Sequence, residues 1–306
     1  MKILCLHGYG TNGDILRHQL QPTMNALGGD HELVFLEGEV PVNKTVFTGN
    51  FSPPYLEAYF DDMASAGPAE GIKLIEEMIE AEGPFDGLLG FSQGAGICLS
   101  YLLDQRIRFS DKPPSFKFAV LFSTGCAISP DAKYKQDELM AMFANMTQDD
   151  IKELHGVIFR PNARKQDLEN CSFMGKLSPF EKHNLLEIGW GGYMSFQARA
   201  VHNITDEVQY WERLLAHELH IEEFPRFYNP VWTSEKLTIP TVHSIGRGDS
   251  DVIKGLLELG RAMCENGVLV EHAGKHDLPY KKEDVVPLAN AIEKAYYLGQ
   301  QIAVAV

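Results

Sequence analysis

Six short, mostly apolar runs recur along the chain: Ile3–Leu6, Leu33–Leu36, Phe85–Leu89, Phe118–Phe122, Ile239–Ile245 and Val268–Val270. None alternates cleanly between apolar and polar residues. Runs of that length without alternation suit strands buried on both faces, as in a parallel sheet. Between them lie stretches with helical periodicity, at about 14–27, 68–82, 95–106, 251–265 and 284–303. In the second, Ile72, Ile75, Met78 and Ile79 fall on one face, which makes an amphipathic helix. Strand–helix alternation of this kind predicts an α/β fold, a mostly parallel sheet flanked by helices. Two stretches break the rhythm. Glu37–Gly67 is long for a connector and rich in glycine, proline and aromatics, which suits a pocket wall. Ile128–Thr238 has no clear alternation and reads as helix and loop, with a helix over 206–220. The expected organisation is therefore a core of residues 1–127 and 239–306 with a large, mainly helical insertion at 128–238. That insertion holds Trp190, Trp211 and Trp232, all the tryptophans of the chain. It reads either as a subdomain packed on its own aromatic core or as a cap lining an apolar acyl pocket; the two are compatible.

The third run carries the candidate chemistry. It leads into Gly90-Phe-Ser92-Gln-Gly94 and then a helix, the strand–turn–helix setting of a G-x-S-x-G nucleophile elbow. The glycines are needed because the turn strains the serine and brings backbone close on either side. Such a turn exposes a hydroxyl at a helix N-terminus, where amides can meet a developing oxyanion. The bland alternative is an ordinary serine in a tight turn. The first run leads into His7-Gly-Tyr-Gly-Thr-Asn-Gly13, which lacks the spacing of a phosphate or dinucleotide loop. As an oxyanion hole, its donor would be the amide of Tyr9, with that of Gln93 after the nucleophile as the second; a plain structural turn is the alternative. A serine needs a base, and the base needs an orienting acid. The order Ser, acid, His is met by Ser92, a carboxylate after the fifth run and a histidine after the sixth. Asp249 and Asp251 compete for the acid, and either could instead cap the next helix. Asp249 is favoured, which leaves Asp251 in the first helical turn. His272 and His276 compete for the base; His276, further out on its loop, is better placed to reach across.

Composition narrows the classes. With 306 residues, 44% of them hydrophobic, the chain can bury a full core. A formal net charge of −15 argues against nucleic acid and against anionic membrane surfaces as partners. No apolar run approaches membrane-spanning length. The first strand begins at Lys2 with no charged-then-apolar leader, so a soluble, cytoplasmic protein is expected. Five scattered cysteines show no metal-ligand spacing and read as reduced thiols. No metal or organic cofactor is implied, and oligomeric state has no signature.

Four ordered motifs, Leu4–Gly13, Gly87–Ala95, Ile239–Asp249 and His272-Ala-Gly-Lys-His276, together resemble the fungal family of serine hydrolases related to the human ovarian-cancer-associated hydrolase. The resemblance covers residues 1–127 and 239–302. It implies an α/β-hydrolase fold, with Ser92 as nucleophile, Asp249 as acid and His276 as base. It also implies kinship with esterases and off-loading thioesterases that act beside polyketide synthases. Two departures stand out. The 128–238 segment looks longer than its family counterpart, and Lys275 replaces the second glycine of the usual Gly-Gly-His. Lys275, Lys281 and Lys282 read as solvated surface lysines, with a phosphopantetheine phosphate as an alternative contact. The expected activity is a serine esterase or thioesterase that cleaves a medium or long acyl chain, or a polyketide, through an acyl-Ser92 intermediate. Its partner would be a small-molecule ester or thioester, free or bound to a carrier protein. The alternatives are an acyltransferase, cyclase or C–C bond-forming enzyme using the same intermediate, and a ligand-binding homologue with negligible turnover.

Overall fold

The computed structural model describes residues 1–42, 56–60, 66–138, 140, 146–158, 165–178, 182, 226–230 and 233–305. Its centre is a parallel sheet of β1 (Lys2–Leu6), β2 (Glu32–Leu36), β5 (Gly87–Phe91), β6 (Phe118–Phe122), β7 (Thr241–Gly246) and β8 (Gly267–His272). The strand order is β2-β1-β5-β6-β7-β8. Every neighbouring pair is parallel, so all six C-terminal ends share one edge. β5 and β6 are buried throughout their length, which is why their sequences are apolar without alternation. Helices α1 (Gly13–Leu27), α2 (Ala66–Glu82), α3 (Gln93–Arg108), α6 (Asp251–Ala262) and α7 (Lys282–Ala305) flank the sheet. Under α1 and α7, Leu16, Leu20, Leu288 and Ile292 pack with Ile3, Leu89, Val120 and Val242 of the strands. α2 and α3 pack together; a Cβ on Gly71 would lie 2.8 Å from the Ile97 side chain.

All six strands expected from the sequence are present, with two shifts. β5 runs over Gly87–Phe91 rather than Phe85–Leu89. Gly87 pairs with Ile3 and Phe118, and the Phe118 ring fills the place of its missing side chain. β7 begins at Thr241, after Pro240, which has no N–H for the ladder. The Glu37–Gly67 connector contains an unexpected antiparallel pair, β3 (Val40–Pro41) and β4 (Glu57–Ala58).

The chain divides into two compact units, residues 1–62, 66–130 and 228–306 in one and 63–65 and 131–227 in the other. The second contains α4 (Gln148–Ile158), α5 (Lys165–Glu169) and a 3-10 turn at Ser172–Lys176. Thr147 and Asp150 exchange hydrogen bonds at the start of α4, each side chain accepting from the other's amide. Leu154, Leu168, Phe173 and Met174 are buried within this unit. The helix expected at 206–220 and all three tryptophans lie outside the described residues.

At the opposite edge of the sheet, Asp86 joins three strand entries. Its carboxylate accepts from the Lys2 amide at 2.9 Å and from Lys117 Nζ at 2.7 Å. Burial raises its pKa, but these bonds and the Lys117 charge outweigh that and hold it below the usual carboxylate value. Asp86→Ala is expected to destabilise the chain by about 1–2 kcal/mol at neutral pH. A folded pKa below the unfolded one gives stability that is present above about pH 3.9 and lost as pH falls through the folded value. Thermal melts of parent and variant should therefore differ at pH 7 and converge in acid.

Candidate active site

Ser92 lies between the last residue of β5 and the first of α3, with φ 53° and ψ −114°. Few residues other than glycine hold such a conformation. The flanking glycines have a direct steric reason. A Cβ on Gly90 would lie 2.5 Å from the Ala95 nitrogen, and one on Gly94 would lie 2.4 Å from the His7 carbonyl oxygen. The Ser92 backbone is held on both sides. Its N–H donates to the Phe122 carbonyl at 2.9 Å, and its carbonyl accepts from the Gly96 and Gly125 amides at 3.0 Å each.

His276 lies on the loop after β8. Its Nε2 is 2.9 Å from Ser92 Oγ, and its Nδ1 is 3.0 Å from Asp249 Oδ2 and 3.2 Å from Oδ1. A carboxylate only accepts, so the proton sits on Nδ1, and Nε2 is left to accept from the Ser92 hydroxyl. The Phe91 ring packs beside the imidazole, centroids 5.2 Å apart. The loops after β7 and β8 are laced by backbone bonds, Arg247 N–H to the His272 carbonyl and Gly248 N–H to the Gly274 carbonyl. That lacing brings residue 249 to residue 276.

Asp249 is 6% exposed. Burial raises its pKa, but the His276 bond and charge, the Ser123 hydroxyl and the Ser250 amide together hold it below the ordinary value. Asp251 stands fully in solvent, its nearest cation Lys254 at 3.9 Å. Neither aspartate caps α6; the Ser250 hydroxyl does, accepting from the Ile253 amide. His272 ends β8 and is buried, with Nδ1 accepting from the Gly274 amide. Burial lowers its pKa. Of the competing pairs, the structure therefore brings Asp249 and His276 to Ser92 and directs Asp251 and His272 elsewhere.

The loop after β1 passes beside the elbow, since a Cβ on Gly8 would lie 3.4 Å from Ser92 Cβ. The Gly8 carbonyl accepts from His7 Nδ1 at 2.9 Å, Thr11 Oγ1 at 2.6 Å and the Thr11 amide at 3.2 Å. The Gly8–Tyr9 peptide is planar, so fixing its carbonyl fixes the direction of the Tyr9 N–H. Gln93 opens α3, and the first bond inside that helix reaches Gly96, so the Gln93 amide is among those without an intrahelical partner. Its side chain has a second role. Nε2 donates to the Phe60 carbonyl at 2.7 Å and Oε1 accepts from the Tyr59 amide at 3.0 Å, clamping the 59–60 segment to the elbow. Sequence reasoning missed this clamp and missed Ser123. The only signal for the latter is a hydroxyl immediately after β6, at the edge where the other candidates converge.

Among the described residues, His7, Glu37 and Glu57 come close enough to hold a metal ion. Their atoms have other uses. His7 Nε2 accepts from the Gly38 amide at 3.0 Å, and both Glu37 oxygens accept from Gly13 N–H. Burial, then the Glu37 charge and hydrogen bond, raise the Glu57 pKa. Lys275, Lys281 and Lys282 are exposed.

The model of the family described as serine hydrolase (FSH1) matches residues 1–288. The esterase alnB of Emericella nidulans is 34% identical over 302 residues, 98% of each chain. The hydrolase FUB4 of Fusarium oxysporum f. sp. lycopersici is 27% identical over 303 residues, 95% of this chain and 97% of the relative. The chain belongs to the FSH1 serine hydrolase family. The likeness runs through residues 128–238, where the sequence motifs alone had suggested a departure, so a segment of this length is shared with alnB.

The steric account of the elbow makes a stability prediction. Gly94→Ala drives a methyl group into two backbone carbonyls, of Leu6 and His7. We expect a loss of roughly 1–3 kcal/mol, seen as a lower melting temperature, with hydrolase activity reduced further than the loss of folded protein explains.

Proposed function

We propose that the chain is a serine esterase that works through an acyl-Ser92 intermediate. The observation that carries this is the linear set of contacts from Ser92 Oγ through His276 to Asp249, on three loops at one edge of the sheet. In this reading His276 Nε2 takes the hydroxyl proton as Ser92 Oγ attacks the carbonyl carbon of a bound ester. Asp249 keeps the Nδ1–H tautomer and stabilises the imidazolium. The Tyr9 and Gln93 amides donate to the oxyanion, where charge develops in the transition state. His276 then returns its proton to the departing alkoxide or thiolate. Water, deprotonated by the same imidazole, attacks the acyl-enzyme and releases a carboxylic acid and free Ser92.

The proposal extends to thioesters, since the acyl carbonyl and the steps on the enzyme are the same. The substrate would be a small-molecule acyl ester or thioester, free or presented by a carrier protein, and the setting fungal secondary metabolism. Residues 128–238 would form the cap, whose aromatic content suits a medium or long acyl chain or a polyketide.

A fluorophosphonate probe tests the central claim. Intact-mass analysis should give one adduct on the parent protein and none on Ser92→Ala. The same variant should lose ester hydrolysis by on the order of 10³-fold or more, and Asp249→Asn by about 10²–10⁴-fold. Undiminished hydrolysis by folded Ser92→Ala would sink the proposal.

A further inference from the structure

Beyond Ser92, His276 and Asp249, the group most closely tied to the three is Ser123. It follows the last residue of β6 and is completely buried. Its hydroxyl donates to Asp249 Oδ2 at 2.9 Å, and that same oxygen is the nearer acceptor of His276 Nδ1. The backbone around it reaches the other end of the site. The Phe122 carbonyl accepts from the Ser92 amide, the Gly125 amide donates to the Ser92 carbonyl, and the Ser123 amide donates to the Ser244 carbonyl of β7. One four-residue turn thus touches the elbow through its main chain and the acid through a side chain.

Ser123 also has φ 43°, in the left-handed region that favours glycine. A glycine would sit there without strain. A residue with a side chain persists in such a conformation where its surroundings hold it, and these positions cluster at functional sites. The strain and the hydroxyl bond are separate observations on one residue: the bond ties it to the carboxylate, and the strain marks a turn that its surroundings hold in place.

We propose that Ser123 is a positioning residue for the acid–base pair. Its O–H fixes the rotation of the Asp249 carboxylate so that Oδ2 faces His276 Nδ1, and its turn sets the spacing between that carboxylate and Ser92. The proposal rests on the esterase reading above and adds to it a residue that never touches substrate.

The test compares Ser123→Ala and Ser123→Gly with the parent and with Ser92→Ala, on a small activated ester and by fluorophosphonate labelling. Alanine keeps the backbone strain and removes the hydroxyl; glycine removes both, so it serves as the folded comparison if alanine is poorly stable. A hydrogen bond to a charged group has a net worth of about 1.5–3 kcal/mol, so kcat should fall roughly ten- to a hundredfold in both variants, with KM little changed. Both variants should also lose activity at a higher pH on the acid side, because a carboxylate with one donor fewer stabilises the charged imidazolium more strongly, and a charged base cannot accept the Ser92 proton. A folded Ser123→Gly protein with parental kcat would overturn the positioning role, while Ser92-dependent labelling of the parent would leave the esterase reading intact. A drop in kcat with an unmoved pH profile would assign Ser123 a purely structural part and overturn the proposal as well. No Ser92-dependent labelling of the parent would overturn both readings together.

Discussion

The backbone of Ser92 is the constraint on which the candidate active site depends. Holding a serine at φ 53° costs about 1–3 kcal/mol. That cost is offset by contacts from three directions: β6 through Phe122, the turn after it through Gly125, and α3 through Gly96. Glycines at 90 and 94 are the complement of the same geometry, since the neighbouring backbone occupies the space where their side chains would be. In return, the hydroxyl stands out from the sheet at the first turn of α3, within hydrogen-bond reach of His276. Loosening any one of these supports would let the chain relax toward an ordinary turn and withdraw Oγ from its partner.

The second constraint is the buried carboxylate. An ionised Asp249 at 6% exposure is costly unless its oxygens are satisfied. Oδ1 accepts from the Ser250 amide and Oδ2 from Ser123, and His276 Nδ1 reaches both oxygens. Two buried histidines make the contrast. His243 is driven down to about 3 by burial and then by the Arg261 charge, and His7 is lowered by burial with both ring nitrogens engaged by backbone. Each serves packing or loop shape. His276 alone among the described histidines lies between a carboxylate on one nitrogen and a serine hydroxyl on the other, and that alignment distinguishes it more sharply than burial does.

Much of this was legible in the sequence because parallel strands buried on both faces are apolar without alternation, and because loops at their C-terminal ends stand out between such runs. The positions of Ser92, Asp249 and His276 follow from that punctuation together with chain order. What was not legible has physical reasons. β5 runs on past Leu89 through Gly90 to Phe91, and Gly87 makes room for the Phe118 ring, tertiary facts that local strand propensity does not carry. β3 and β4, two residues each, are held by pairing across the chain and not by local preference. Ser123 carries no motif, since a hydroxyl after a strand reads as turn chemistry until the acid that it faces is located. The side chain of Gln93 was hidden behind its amide, for a spacing argument assigns a backbone role and says nothing of where the rest of the residue goes.

The strand order adds a last step. From β1 the chain goes first outward to β2 and then back across to β5, so β1 and β5 are neighbours where the direction of winding changes. Loops leaving adjacent strands at such a point diverge and open a crevice at the C-terminal edge. Here those loops are 7–13 and the elbow. The first is fixed before any ligand arrives. His7 and Thr11 hold the Gly8 carbonyl, the His7 amide donates to the Tyr59 hydroxyl, and that hydroxyl donates to the Leu36 carbonyl. Gln93 then ties Tyr59 and Phe60 to the elbow itself. On the proposed reading, the two oxyanion donors belong to one continuous hydrogen-bonded frame. Their directions are set by folding, and stabilisation of the transition state needs no reorganisation of the loop at the moment of attack.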